Sequence, residues 1–141
     1  MSAKDQLERM RTIAARDGRY SSEAFLFVSK AIGQTVEWIK KGVLKPDEAP
    51  GSSRGEDGGM FHVSGRELLA GFQRLGRERW GLLAPRVLGS WGVRRTEDVG
   101  EIVFLMVEDE ELQWRRRPSD TREDFANGFD FEAAFDPWDR S

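Results

Sequence analysis

The side chain of this 141-residue sequence best suited to acid–base chemistry near neutral pH is its only histidine, His62. It lies between Phe61 and Val63, directly before a predicted helix start at Ser64. An imidazole in such a position can also hydrogen-bond locally and pack against its neighbours. We favour this structural role for His62 over a catalytic one.

Three carboxylates at the start of another predicted helix form the second chemical candidate. Glu97 and Glu101 are four residues apart and therefore share a helix face, and Asp98 lies beside them. Such a group could hold Mg²⁺, but acids in a first helical turn more commonly offset the positive end of the helix dipole. We therefore treat His62, Asp98 and Glu101 as a polar site without an assigned reaction.

The residue types that the chain lacks exclude several classes of enzyme. It has no cysteine, which excludes disulfide scaffolds, cysteine–zinc sites, iron–sulfur clusters and thiol nucleophiles, and a single histidine excludes a His-paired metal site. The glycines between 51 and 59 are not followed by Lys-Ser or Lys-Thr, so they form no P-loop. The sequence predicts no catalytic residue, no metal and no cofactor, and a carboxylate-based enzyme stays only as a second alternative.

The elements that hold these residues are predicted to be helices of one small domain, residues 1–141. Apolar residues that repeat every three or four positions predict a helical hairpin over 3–42. Residues 46–59 are rich in glycine, proline and acids and contain no large apolar side chain. They cannot bury apolar surface, so this stretch is predicted to be a flexible loop.

Residues 64–111 are predicted to be a core of three helices. The first begins at a capping box, Ser64-x-x-Glu67. Alternating side chains predict a short strand over 112–117. The predicted fold class is therefore mainly α, a bundle of five to six helices. Its 64–117 portion has the element order of a winged-helix-like core with one short β-hairpin.

The winged-helix-like order raises an alternative function, a nucleic-acid-associated regulator. The arginines that would contact nucleic acid are Arg94, Arg95, Arg115, Arg116 and Arg117. A net charge of −3 and the acids that open the third core helix both oppose contact with phosphates. The sequence therefore disfavours nucleic acid as a partner.

The C-terminal segment 119–141 is the most unusual part of the chain, because it combines aromatic rings with acids. Its seven acids and two arginines give a net charge of −5. A partner groove would be contacted by Phe125, Phe129, Asp130, Phe131 and Phe135. Alternatively the segment folds back and its rings complete the core, which we favour because exposed aromatic rings promote aggregation.

The sequence thus predicts a non-enzymatic protein-interaction or adaptor module with an unknown protein partner. No apolar stretch approaches the length of a membrane span and the N-terminus lacks the apolar segment of a signal peptide, so we expect a cytoplasmic protein that does not bind membranes. Four strings resemble an uncharacterised family of short bacterial proteins, a domain of unknown function. They are Tyr20-x-x-Glu23-Ala24-Phe25-x-Phe27-Val28, His62-Val63-Ser64-Gly65-x-Glu67-Leu68-Leu69, Trp91-Gly92-x-Arg94-x-Thr96-x-Asp98-Val99-Gly100-Glu101-Ile102-Val103-Phe104, and the segment from Glu123-Asp124-Phe125 to Phe135. The resemblance implies a bacterial, cytosolic origin and assigns no activity.

Overall fold

The computed structural model describes residues 2–45, 63–109, 112, 125–126 and 128–135. Within these residues the protein is a small, mainly helical domain without strands. Four long helices dominate it: α1 (Ala3–Asp17), α2 (Ser22–Lys40), α3 (Gly65–Trp80) and α5 (Thr96–Val107). A 3₁₀ turn (Gly81–Leu83) and the seven-residue helix α4 (Ala84–Ser90) join α3 to α5, and a four-residue helix α6 (Phe131–Ala134) follows.

Local capping fixes where the long helices begin. The Ser2 hydroxyl accepts a hydrogen bond from the backbone N–H of Asp5, and the Ser21 hydroxyl accepts one from Glu23. At α3, the Ser64 hydroxyl accepts from the Glu67 N–H (3.1 Å) while the Glu67 carboxylate accepts from the Ser64 N–H (2.7 Å). This reciprocal pair is the capping box that the sequence predicts.

Helix α2 lies at the centre of the bundle, because it packs against α1, α3 and α5. The side chains that it buries recur every three or four residues, as one face of a helix requires. Phe25 and Val28 of α2, Phe72 of α3 and Ile102 of α5 are fully enclosed. These residues form one continuous apolar core, which stabilises the domain without disulfides.

The predicted bundle of five to six helices is not supported as stated, because four long helices carry the described fold and α4 and α6 are short segments. The predicted β-hairpin finds no support among the described residues. Of the predicted strand 112–117 only Leu112 is described, and it is buried in a turn. The predicted loop 46–59 lies outside the described residues. None of the described helices combines the length and apolar character needed to cross a membrane.

Candidate functional site

The phenylalanines of the C-terminal segment lie in the core of the protein. Phe125, Phe131 and Phe135 are buried, Phe129 is half-buried, and only Asp130 of the five predicted contact residues is exposed. The Phe131 and Phe135 rings meet edge to face with centroids 5.5 Å apart. The rings therefore complete the core, and no partner can reach the three buried ones while the segment is docked.

Helices α3 and α5 supply the surface on which this segment docks. The Thr96 hydroxyl donates a hydrogen bond to the carbonyl of Phe125 and accepts one from the backbone N–H of Gly128 (3.0 Å). The Phe125 ring lies so close to Gly100 that a Cβ there would be 2.7 Å from the ring. The Gln73 amide donates to the carbonyl of Ala134 (3.0 Å). Polar contacts and ring packing together hold the segment in place.

Of the predicted polar site, the structure describes Asp98 and Glu101, while His62 lies outside the described residues. The Tyr20 hydroxyl donates to Asp98 Oδ1 (2.7 Å), and the backbone N–H groups of Arg94 and Arg95 donate to Oδ2 (2.9 and 3.2 Å). Asp98 thus caps the start of α5 and ties it to the α1–α2 connection. The described residues contain no cluster of three or more histidines or acids able to hold a metal ion.

Glu101 also has a structural role in the described fold. Its carboxylate lies 3.6 Å from the Arg19 guanidinium, and that guanidinium also hydrogen-bonds Asp17. This contact lowers the pKa of Asp17 and raises that of Arg19. Asp17, Arg19 and Glu101 therefore form a chain of opposite charges that links α1 to α5.

Tyr20, which donates the hydrogen bond to Asp98, is buried, with 6% of its surface exposed. Burial raises the pKa of the Tyr20 hydroxyl far above its usual value, and the hydrogen bond to Asp98 raises it further, because phenolate would face a carboxylate. Since the folded state holds this proton more tightly than the unfolded state, the contribution to stability is present below about pH 10. It is lost as pH rises further, through the pKa of the folded state.

Replacing Tyr20 with phenylalanine is expected to lower the free energy of unfolding by about 1.5–3 kcal/mol at neutral pH, because a hydrogen bond to a charged group disappears. The difference in the free energy of unfolding between this variant and the wild type should become smaller above about pH 10. Tyr20 is the only tyrosine in the chain, so phenolate absorbance reports on it alone. We expect no phenolate signal at pH 10 in the folded wild type and an earlier signal in Asp98→Asn. A wild-type signal with an ordinary pKa would contradict the buried hydrogen bond.

The predicted nucleic-acid contacts are only partly described. Arg94 and Arg95 are exposed and directly precede α5, whereas Arg115, Arg116 and Arg117 lie outside the described residues. Glu97 and Asp98 occupy the first turn of α5. A phosphate that approached this helix start would therefore meet carboxylates as well as arginines.

A cavity of about 420 Å³ opens between the C-terminal ends of α1 and α5. Its lining residues are Ile13, Arg16, Asp17, Leu105, Glu108 and Asp109. The buried Asp109 carboxylate accepts hydrogen bonds from Arg9 (2.7–3.0 Å) and lies 3.4 Å from Arg16. The carboxylates of Asp17 and Asp109 in this wall are thus held by arginines, which suits helix–helix attachment better than proton transfer.

The structure also reveals a surface that our sequence interpretation missed, which we call the leucine corner (Leu82 and Leu83). These adjacent residues form the turn between α3 and α4 and are 60% and 58% exposed. The signal in the sequence is the apolar run from Trp80 to Pro85, which is too short for a helix and lies at a predicted break. Only its exposure marks the corner as a surface, and exposure depends on the fold.

The leucine corner lies within a strongly basic part of the chain, which we call the arginine stretch (residues 74–95). It has six arginines against one acid, Glu78, although the whole chain is acidic. All six arginines are exposed. Arg86 follows Leu83 by three residues and Leu82 by four, the spacing at which side chains lie on the same face of a helix. Apolar and positive surface therefore occur together at this corner.

No family model, curated protein or solved structure matches this chain. That outcome is consistent with the resemblance to a family without an established function, and it does not address a bacterial origin.

Proposed function

We propose that this chain is a non-enzymatic protein-interaction module that contacts its partner through the leucine corner. The observation that carries the proposal is the exposure of two adjacent leucines, Leu82 and Leu83, in the turn between α3 and α4. Burying one leucine side chain contributes about 1.5–3 kcal/mol. A partner that covered both would gain a substantial part of a modest binding free energy.

The surroundings of the corner favour binding because they are already ordered. The ring centroids of Trp80 and Trp91 are 5.6 Å apart, and the Phe27 ring lies 4.9 Å from that of Trp80. Ala84 and Leu88 of α4 are buried directly after the corner. The turn is thus anchored on both sides, so little conformational entropy is lost when a partner binds.

The proposal keeps the interaction role that the sequence predicts and moves its surface. The C-terminal phenylalanines cannot anchor a partner while they are buried, whereas the leucine corner is accessible without any rearrangement. The order α3–α4–α5 still supports a winged-helix-like core as a proposal, although most of the strand that would complete it lies outside the described residues.

Replacing Leu82 and Leu83 together with serine is expected to abolish partner capture without unfolding the protein. The test compares immobilised wild type with Leu82→Ser/Leu83→Ser in an extract of the source organism, with mass spectrometry of the bound proteins. We expect the captured amount of at least one protein to be lower by about tenfold or more on the variant than on the wild type. Burying two leucines contributes several factors of ten to an affinity. That protein is then purified and its affinity for both forms measured directly.

Val43→Ser is the matched control, because Val43 is also exposed (43%) and lies at the end of α2 instead of in the corner. It should retain full capture. The free energy of unfolding of both variants should lie within about 0.5 kcal/mol of the wild-type value, as is usual for substitutions at the surface. If every captured protein binds the corner variant as well as it binds Val43→Ser, the leucine corner is not the contact surface.

A further inference from the structure

We further propose that the segment bound at the leucine corner is acidic as well as apolar, an inference that rests on the proposed function. The arginine stretch has a net charge of +5, from six arginines and Glu78, in a chain whose total is −3. All six arginine side chains are exposed. A partner with carboxylates around an apolar face would match both features of this surface.

Most of these arginines have no ion-pair partner within the described part of the protein. Arg74 lies 3.9 Å from Glu78, and Arg77 donates a hydrogen bond to the carbonyl of Ala134. No described carboxylate pairs with the other four. They are Arg79, Arg86, Arg94 and Arg95. The Arg79 guanidinium lies over the Phe27 ring, 5.9 Å from the ring centroid, a contact that pairs it with no carboxylate. All four guanidinium groups can therefore bind the carboxylates of a partner in a bidentate manner.

The same charge pattern argues against two other occupants of the corner. A second copy of this chain that docked corner to corner would bring arginine beside arginine, because a two-fold interface places the same surface on both partners. A nucleic acid would gain from the arginines, but it would leave the two leucines without apolar contact and would meet the acids of α5. An acidic protein segment satisfies the arginines and the leucines together.

The experiment uses the full chain and synthetic helical peptides of about 15 residues, near the shortest length at which an isolated helix forms. One labelled peptide has leucine on one face and glutamate on the other, and a second has lysine in place of glutamate. Fluorescence anisotropy should show binding of the glutamate peptide only. Its affinity should fall as salt rises, because exposed charges are screened.

Arg79→Gln/Arg86→Gln is expected to lower the affinity for the glutamate peptide about tenfold, since each exposed arginine–glutamate pair contributes up to about fivefold to an affinity. Arg11→Gln is the matched control, because Arg11 is exposed on α1, outside the arginine stretch, and it should leave the affinity unchanged. Unfolding midpoints of all variants are measured in parallel so that binding is compared among folded proteins.

The outcomes separate this inference from the proposed function. Glutamate-peptide binding that depends on both the leucines and the arginines supports the inference. Loss of binding in Leu82→Ser/Leu83→Ser with no change in Arg79→Gln/Arg86→Gln overturns the acidic partner and keeps the apolar contact. A labelled dT oligonucleotide is measured in the same assay as a nucleic-acid probe. Equal binding of both peptides, no binding of either peptide, or oligonucleotide binding that the leucine substitutions leave unchanged also overturns the inference, while capture from the extract still decides the proposed function.

Discussion

Replacing Phe135 with alanine is expected to lower the free energy of unfolding by about 3–5 kcal/mol, the usual result of deleting a fully buried phenylalanine ring. None of the Phe135 surface is exposed. Its ring packs edge to face on Phe129 and Phe131, and it lies so close to Gly76 of α3 that a Cβ there would be 2.9 Å from the ring. Urea unfolding followed by circular dichroism measures the loss.

Phe129→Ala is the matched control, because Phe129 belongs to the same segment but is only half-buried. It should be clearly less destabilising, since the stability lost scales with the apolar area that was buried. If Phe135→Ala unfolds within about 0.5 kcal/mol of the wild type, the ring does not complete the core. In that case the C-terminal segment would again be the first candidate for a partner-binding surface.

Burial of this segment has a direct consequence for function. A ring can stabilise the core or anchor a partner, but it cannot do both in one conformation. Phe125, Phe131 and Phe135 are used by the fold, so any recognition by the docked protein must use other apolar side chains. The leucine corner is apolar surface that remains exposed after folding, and it lies within the arginine stretch.

Local features of the fold could be predicted from the sequence because their causes are local. The capping box of Ser64 and Glu67 spans four residues, and the buried face of α2 follows from the spacing of its own apolar side chains. No information about distant parts of the chain is needed for these features.

The roles of the polar candidates could not be predicted, because their partners are distant in sequence. Asp98 accepts its hydrogen bond from Tyr20, which is 78 residues away, and Asp109 binds Arg9 at a separation of 100 residues. From spacing alone, Asp98 and Glu101 are two acids on one helix, and their favoured role in offsetting the helix dipole names no partner for either of them. Only the folded contacts show that Asp98 caps α5 and that Glu101 pairs with Arg19.

The leucine corner was missed for a related reason. Apolar residues next to helices are usually assigned to the core, and the apolar run from Trp80 to Pro85 does not itself show that Leu82 and Leu83 are exposed whereas Leu88 is buried. Their exposure follows from the turn at Gly81, which directs the chain from α3 into α4.

The second large effect is expected from substitution of Gly92, which lies in the connection between α4 and α5. Its φ angle is +94°, a value that side-chain-bearing residues rarely adopt, and a Cβ there would lie 2.3 Å from the carbonyl oxygen of Arg19. That oxygen belongs to the backbone and cannot rotate away. It lies beside the hydrogen bond from the Ser21 N–H to the Trp91 carbonyl (3.0 Å), which joins the two connections. Gly92→Ala should therefore lower the free energy of unfolding by about 2–5 kcal/mol, from backbone strain and overpacking together.

Gly18→Ala separates these two causes. Gly18 also has a positive φ angle, +82°, but nothing lies within 4 Å of a Cβ at that position. Gly18→Ala should therefore lower the free energy of unfolding only through backbone strain, by about 1–2 kcal/mol. Urea unfolding of both variants measures the two losses. The excess loss in Gly92→Ala then measures the close approach of the two connections, one of which also carries Tyr20. Equal losses in the two variants would mean that these connections do not pack as closely as described.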